Sequence, residues 1–488
     1  MSDASKGSAA TGMAGGGWLG ASVLSIRVPL AFMLTGITAF LAAIALIFLR
    51  PEVLTTYHYN QYVVAITHLV VLGWIGSVVM GAMYQLVPVA LETKLFSQRL
   101  AGIQFALHLV GFCGMVWMFW TWNMKQVGHF GSIFAAGVLL FIYNLFRTLL
   151  RVPRWNVVAT AVASTLFWLA LTVSVGLMVV AGKCSYDLVD AGAPTTWQTP
   201  LIGAVAGIGR WAARFDQMGV MHAHAHIGVV GVFLMLIIGV SYRLVPMFTL
   251  SEVQKPRRAM ASVLLLNAGL LGAFCAIVAR SQIKIFFSGV AVLGLVLYGC
   301  ELRAILLARK RKGIDWAVKS FFTGLFCLTF LSPLALVLSW PGLPLNNFTG
   351  QLENAYGLAA LLGLISFAIV GMLYKILPFL VWYHSYSRKI GTARVPSLAD
   401  LYSTRVQVAS FCFQLAGLLG AILAILVQNT WLVRAAAFLL AVGVLLLLWN
   451  VARMLQHILW PRIVPLNTRP NAAASAGRTL TVTPAASP

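Results

Sequence analysis

Twelve stretches of mostly apolar residues, each about 20 or more long, run through this chain at 27–49, 61–89, 100–121, 130–150, 155–181, 218–248, 259–279, 283–307, 317–340, 354–383, 406–427 and 430–459. A helix crossing the hydrocarbon core of a bilayer needs about that many apolar residues. Each stretch therefore has the length and character of a span. The chain is 60% hydrophobic and 9% charged, whereas soluble domains carry roughly 25% charged residues. A soluble globular enzyme, a disordered chain and a secreted disulfide scaffold are all excluded. The sequence predicts an all-α polytopic membrane protein whose 12 transmembrane helices occupy residues 27–460. Residues 1–26 are rich in Gly, Ala and Ser and lack the pattern of a signal peptide. They are expected to form a disordered cytoplasmic N-terminus, and the polar residues 461–488 a disordered cytoplasmic tail.

The net charge of +23 raises nucleic acid as a partner. With the N-terminus inside, 26 of the 34 Lys and Arg fall on inner turns, including Arg147, Arg151, Arg154 and the run Arg309, Lys310, Arg311, Lys312. After the acidic residues are counted, the inner side carries +20 and the outer side +3. That is the positive-inside pattern, so the partner of the charge is the lipid bilayer and no nucleic acid is needed. The expected location is a bacterial inner membrane, with both termini cytoplasmic and a long periplasmic loop at 182–216. The six cysteines show no metal-ligand spacing, so disulfides and a structural zinc are not expected.

Three spans share a pattern, counted back from Pro88, Pro246 and Pro378. Four residues earlier stand Tyr84, Tyr242 and Tyr374; seven earlier, Gly81, Gly239 and Gly371; fifteen earlier, Gly73, Gly231 and Gly363. Twenty earlier come His68 and His226, with Leu358 in the third copy. The copies lie four spans apart, which predicts three pseudo-repeated four-helix units. Glycine lets a neighbouring helix, or a flat ligand, approach the backbone closely. Gly73 and Gly231 are expected to leave room beside a porphyrin.

Ionisable residues within a bilayer are costly, so clustered histidines define the candidate site. His68 and His226 share a repeat position and so a depth, and two imidazoles at one depth on neighbouring helices can clamp a haem iron from both sides. On span 6 the segment MHAHAH adds His222 and His224. At 100° per residue His222 and His226 share a face and His224 points away. With Met115, Met118, Met124, Met218 and Met221, His222 and His224 offer a soft copper(I) site, although packing explains methionines equally well. Arg210 and Arg214, four apart in the loop before span 6, are expected to share a helix face and bind haem propionates. Glu353 and Arg434 read as snorkelling residues at helix ends. The near-absence of other charges inside the spans argues against a proton pump or ion-coupled transporter.

Twelve spans in three units of four, a His at the outer end of span 2 and the stretch GAMYQLVPVALETKLFSQRL resemble subunit I of the haem-copper oxidase and nitric oxide reductase superfamily, with the NnrS-type haem-copper membrane proteins as relatives. The resemblance implies a haem-copper oxidase subunit I-like fold, His68 as a haem ligand on span 2, and His222 or His226 as a copper ligand on span 6. The chain departs from the family where span 10 has Glu353, Asn354, Tyr356 and Leu358 in place of two histidines, and where span 7 has no histidine. The oxygen-reducing centre is therefore not expected, and the chain is not expected to be catalytic alone. The expected function is a haem b-binding redox subunit passing electrons between quinol and a periplasmic c-type cytochrome or partner subunit. The alternatives are a haem- or copper-binding protein for nitric oxide or copper handling, and a cofactor-free membrane anchor or transporter.

Overall fold

A computed structural model describes residues 26–190, 199–344 and 346–465. The described chain is helical apart from one two-residue antiparallel pairing. Twelve helices are long and apolar enough to cross a membrane: Arg27–Leu49, Gln61–Ala90, Gln98–Trp120, Met124–Leu149, Val157–Cys184, Gln217–Thr249, Pro256–Val278, Lys284–Leu307, Trp316–Leu338, Asn347–Lys389, Thr404–Leu426 and Thr430–Leu459. We number them spans 1 to 12.

Spans 2, 6 and 10 form the centre. Between 61% and 72% of their most apolar segments are buried by protein, against 22% to 50% for the other nine. These three spans pack on one another, and the rest surround them as a ring in which spans 3 and 4, 7 and 8, and 11 and 12 are tight antiparallel pairs and span 1 closes on span 12. The ring turns large apolar side chains outward, among them Leu139, Phe167, Leu264, Phe286, Phe330 and Leu445. In water such a surface would aggregate, whereas lipid tails accept it.

Each central span widens into a π-helical segment: Leu69–Gly76, Ile227–Leu234 and Ala359–Ile365. These begin on the residue after His68, His226 and Leu358 respectively. π-Helical turns are rare and cluster at functional sites. Trp74, fully buried, donates its indole N–H to Ser366 Oγ at 2.9 Å and so joins spans 2 and 10 at this level.

A second regularity lies at the opposite end of the bundle. The Ser97 N–H donates to Asn144 Oδ1 (2.9 Å), the Gln254 N–H to Glu301 Oε1 (2.6 Å) and the Ser403 N–H to Asn450 Oδ1 (3.0 Å), each across 47 residues. Glu301 is fully buried and also accepts from the Lys255 N–H and from Arg258. The expectation of span interiors nearly free of acids thus misses one, a carboxylate made tolerable by two backbone amides and a guanidinium.

Two boundaries differ from the sequence reading. The 182–216 segment is not all loop: the span 5 helix continues to Asp190, and Thr199–Ala212 is helical. The tail is ordered at its start, where Val464–Pro465 pairs with Ala393–Arg394 and the Arg462 N–H donates to the Tyr386 hydroxyl at 2.9 Å. The expected disorder of 1–25 and 466–488 falls outside the described residues.

Candidate functional site

Backbone and capping chemistry first place the histidines. Asn60 caps the start of span 2, its side chain accepting from the Tyr62 N–H, and Asp216 caps span 6 through the Gly219 N–H. Asp216 also pairs with Arg280 at 2.8 Å, and that guanidinium holds the carboxyl below its ordinary range. Gly219 lies so close to the end of span 7 that an added Cβ would sit 3.2 Å from the Ile277 carbonyl oxygen. The residues leading into span 6 are thereby locked to span 7.

His68 and His226 then adopt the same local arrangement. The Nδ1 of His68 lies 2.8 Å from the Val64 carbonyl oxygen, and the Nδ1 of His226 lies 2.8 Å from the His222 carbonyl oxygen. A carbonyl only accepts, so in both rings Nδ1 carries the proton and the lone pair is on Nε2. Neither Nε2 makes a hydrogen bond to a described residue. Both residues keep partly accessible surface. His68 lies against Phe119, ring centres 4.5 Å apart, and His226 stacks at 6.3 Å on Tyr356 of span 10. An imidazole anchored through Nδ1–H with Nε2 free is the state in which histidine binds a metal. Each ring can therefore ligate a metal through Nε2.

The other residues singled out from the sequence divide. His222 does not join His224. Its Nε2 sits 3.1 Å from Nε2 of His58, in the turn between spans 1 and 2. His224 lies against span 5, where a Cβ added at Gly176 would lie 3.0 Å from its ring, and it is close enough to His68 for the two rings to interact electrostatically; its buried Nδ1 makes no hydrogen bond. Met115, Met118 and Met124 pack in one apolar cluster with Ala65, Phe119 and Val127. The Cβ directions of both glycines are filled by neighbouring helices. At Gly73 an added Cβ would meet Ala39 at 2.8 Å and Phe112 at 3.1 Å; at Gly231 it would meet Trp168 at 2.6 Å. Helix packing accounts for these glycines. Arg210 lies on the Thr199–Ala212 helix, while Arg214 lies past its end, so the two do not share a helix face; both are exposed.

Sequence reasoning did not single out His58. Glu353 keeps 32% of its side chain exposed, and its Oε2 lies 3.8 Å from His58 Nδ1, on the side of span 10 that faces the cluster. His58, His222 and Glu353 present one donor atom each, all within 4.8 Å of one another. Span 10 also fixes the turn that carries His58. Gln351 donates to the Thr55 carbonyl at 3.1 Å and Asn354 to the Thr56 carbonyl at 2.8 Å. Burial, and then His222, hold the pKa of His58 down to about 4, so its ring is neutral at pH 7. Among the remaining histidines, His108 Nε2 contacts Ser77 Oγ at 2.8 Å and His457 Nδ1 the Tyr386 hydroxyl at 2.7 Å. No protein-family model and no curated protein matches this chain.

Proposed function

We propose that the chain is a membrane-embedded redox subunit that binds a b-type haem through His68 and His226 and passes electrons between quinol and a periplasmic c-type cytochrome or partner subunit. One observation supports the reading: two histidines at the same repeat position have the same fixed tautomer, each with an Nε2 that makes no hydrogen bond to a described residue. Bound haem would supply a one-electron centre. The protein's part is to hold each ring by the carbonyl one turn back and to surround the site with apolar side chains.

The haem-copper oxidase subunit I-like scaffold in three units belongs to the same proposal. Its support is the threefold recurrence of the π-helical segments and of the 47-residue hydrogen bonds at matching positions. The charge count supports an inner-membrane orientation with both termini cytoplasmic. The direct test is the absorption spectrum of the full chain purified from haem-replete cells. A reduced low-spin b-type spectrum that responds to quinol supports the reading. A colourless preparation that takes up no added haem overturns it.

A further inference from the structure

We propose that His58, His222 and Glu353 form a binding site for one borderline divalent cation, zinc or copper(II), which fastens the turn between spans 1 and 2 to spans 6 and 10. The site is separate from the haem proposal and shares no ligand with it.

The first argument is donor chemistry. Two imidazoles and a carboxylate suit zinc and copper(II), and His/His/Glu sets are established zinc ligands. The second is spacing. Two nitrogens bound at 2.0–2.1 Å to a tetrahedral ion stand about 3.4 Å apart. Nε2 of His58 and Nε2 of His222 stand 3.1 Å apart without an ion, and all three donors lie within 4.8 Å. A small movement of the side chains completes the set.

The third argument is that hydrogen bonding alone leaves the cluster unsatisfied. If His58 Nε2–H donates to His222, the lone pair of His58 Nδ1 faces the Glu353 carboxylate, which repels it. If His222 donates instead, the proton on His58 Nδ1 points toward an oxygen 3.8 Å away, too far for a hydrogen bond. In the structure, the buried His58 Nδ1 has no hydrogen-bond partner. A cation bound to Nε2 of both rings removes the first conflict: His58 then carries its proton on Nδ1, facing the Glu353 carboxylate, and a small movement of that carboxylate satisfies it.

The fourth argument is construction. The three ligands come from separate elements: the turn carrying His58 is held by the amides of Gln351 and Asn354, which flank Glu353 on span 10, and the start of the helix carrying His222 is tied by the Asp216–Arg280 pair. The His222 carbonyl also holds His226, one turn along the helix. An ion here would fix the end of the helix that carries the proposed haem ligand.

The test uses the full chain in detergent, stripped with a chelator and titrated separately with Zn2+ and Cu2+. Bound metal is counted by elemental analysis, and the thermal midpoint is followed in parallel. We expect one equivalent bound and a raised midpoint. Affinity should fall by about tenfold or more in His58→Ala and in the near-isosteric Glu353→Gln, and stay unchanged in His129→Ala. Nitrogen hyperfine structure in the Cu2+ electron paramagnetic resonance spectrum, lost in His58→Ala, would assign copper(II) to the site; tighter Zn2+ uptake lost in the same variants would assign zinc. Absence of both metals from the folded wild-type chain, or uptake unchanged in folded Glu353→Gln and His58→Ala, overturns the proposal. His68→Ala serves as the crossed control: it should abolish the haem spectrum and leave metal uptake intact.

Discussion

The Nε2 atoms of His58 and His222 face each other at 3.1 Å across 164 residues of chain. No local pattern brings them together. The turn carrying His58 is held by two amide side chains of span 10, and the helix carrying His222 begins at a cap tied to Arg280. The contact therefore reports on the packing of all three central spans. Replacing Asn354 by Leu removes one of the two clamps without touching a proposed ligand. Amide hydrogen exchange over residues 55–60 should speed up in this variant, while exchange within span 6 stays unchanged.

Acid should loosen the same turn. His58 titrates near 4 in the folded protein, against an ordinary value of 6.5, because burial and the neighbouring His222 oppose its charge. A histidine whose folded value is depressed stabilises the fold above the ordinary value. That contribution is lost as pH falls from about 6.5 towards 4, because the released turn then binds a proton that the folded turn refuses. Exchange protection at 55–60 should therefore decline between pH 7 and pH 5. His58→Gln should flatten that decline. An equally steep decline in the variant would assign it to another group.

Glu301 makes a stability prediction. It is fully buried and accepts from two backbone amides and Arg258. Glu301→Ala leaves those donors without an acceptor and should cost about 3–5 kcal/mol, as the breaking of buried ion pairs does. Glu301→Gln keeps an amide oxygen for the backbone donors, as Asn144 and Asn450 provide at the corresponding places. Its cost should be nearer 1–2 kcal/mol. Thermal unfolding in detergent separates the two.

The twelve spans were legible because lipid imposes a length and a composition that no other environment demands. The start of each agrees with the structure to within a few residues, except where polar Asn347 to Glu353 extend span 10 and where the span 4 helix starts at Met124. His68, His226 and Leu358, aligned in the sequence by counting back from three prolines, each precede a π-helical segment. The partner of His222 was not. His58 lies in a polar turn with no periodicity, and the amides that place it are ordinary residues of a distant span. The proximity of Glu353 to His58 was not legible either, because a carboxylate near a helix end looks the same in sequence whether or not a histidine lies beside it.

Membrane orientation rests on charge alone and is tested independently. Reporter fusions at Gly182 and Gln428 should read periplasmic, and one at Lys312 cytoplasmic. The opposite pattern would place the histidine end of the bundle in the cytoplasm and exclude a periplasmic electron partner.

The axial pair is the sharpest prediction, because the structure supplies its own controls. His68 and His226 each use Nδ1–H on a carbonyl one turn back, and neither Nε2 makes a hydrogen bond to a described residue. His108 and His457 have a ring nitrogen engaged by a hydroxyl group. If iron is held by the first pair, His68→Ala and His226→Ala should each abolish the low-spin haem spectrum, because a single remaining imidazole leaves the iron five-coordinate and high-spin or releases it. His457→Ala should leave the spectrum intact. His108→Ala should also leave it intact while lowering stability by about 1–3 kcal/mol, since a buried ring that meets Ser77 is lost. His224→Ala divides the remaining possibilities. The ring of His224 lies against span 5 and interacts electrostatically with His68; the pairing of His68 with His226 expects this variant to keep the haem. Loss of the spectrum in His224→Ala, with retention in His226→Ala, would move the second ligand two residues along span 6 and overturn the pairing proposed here.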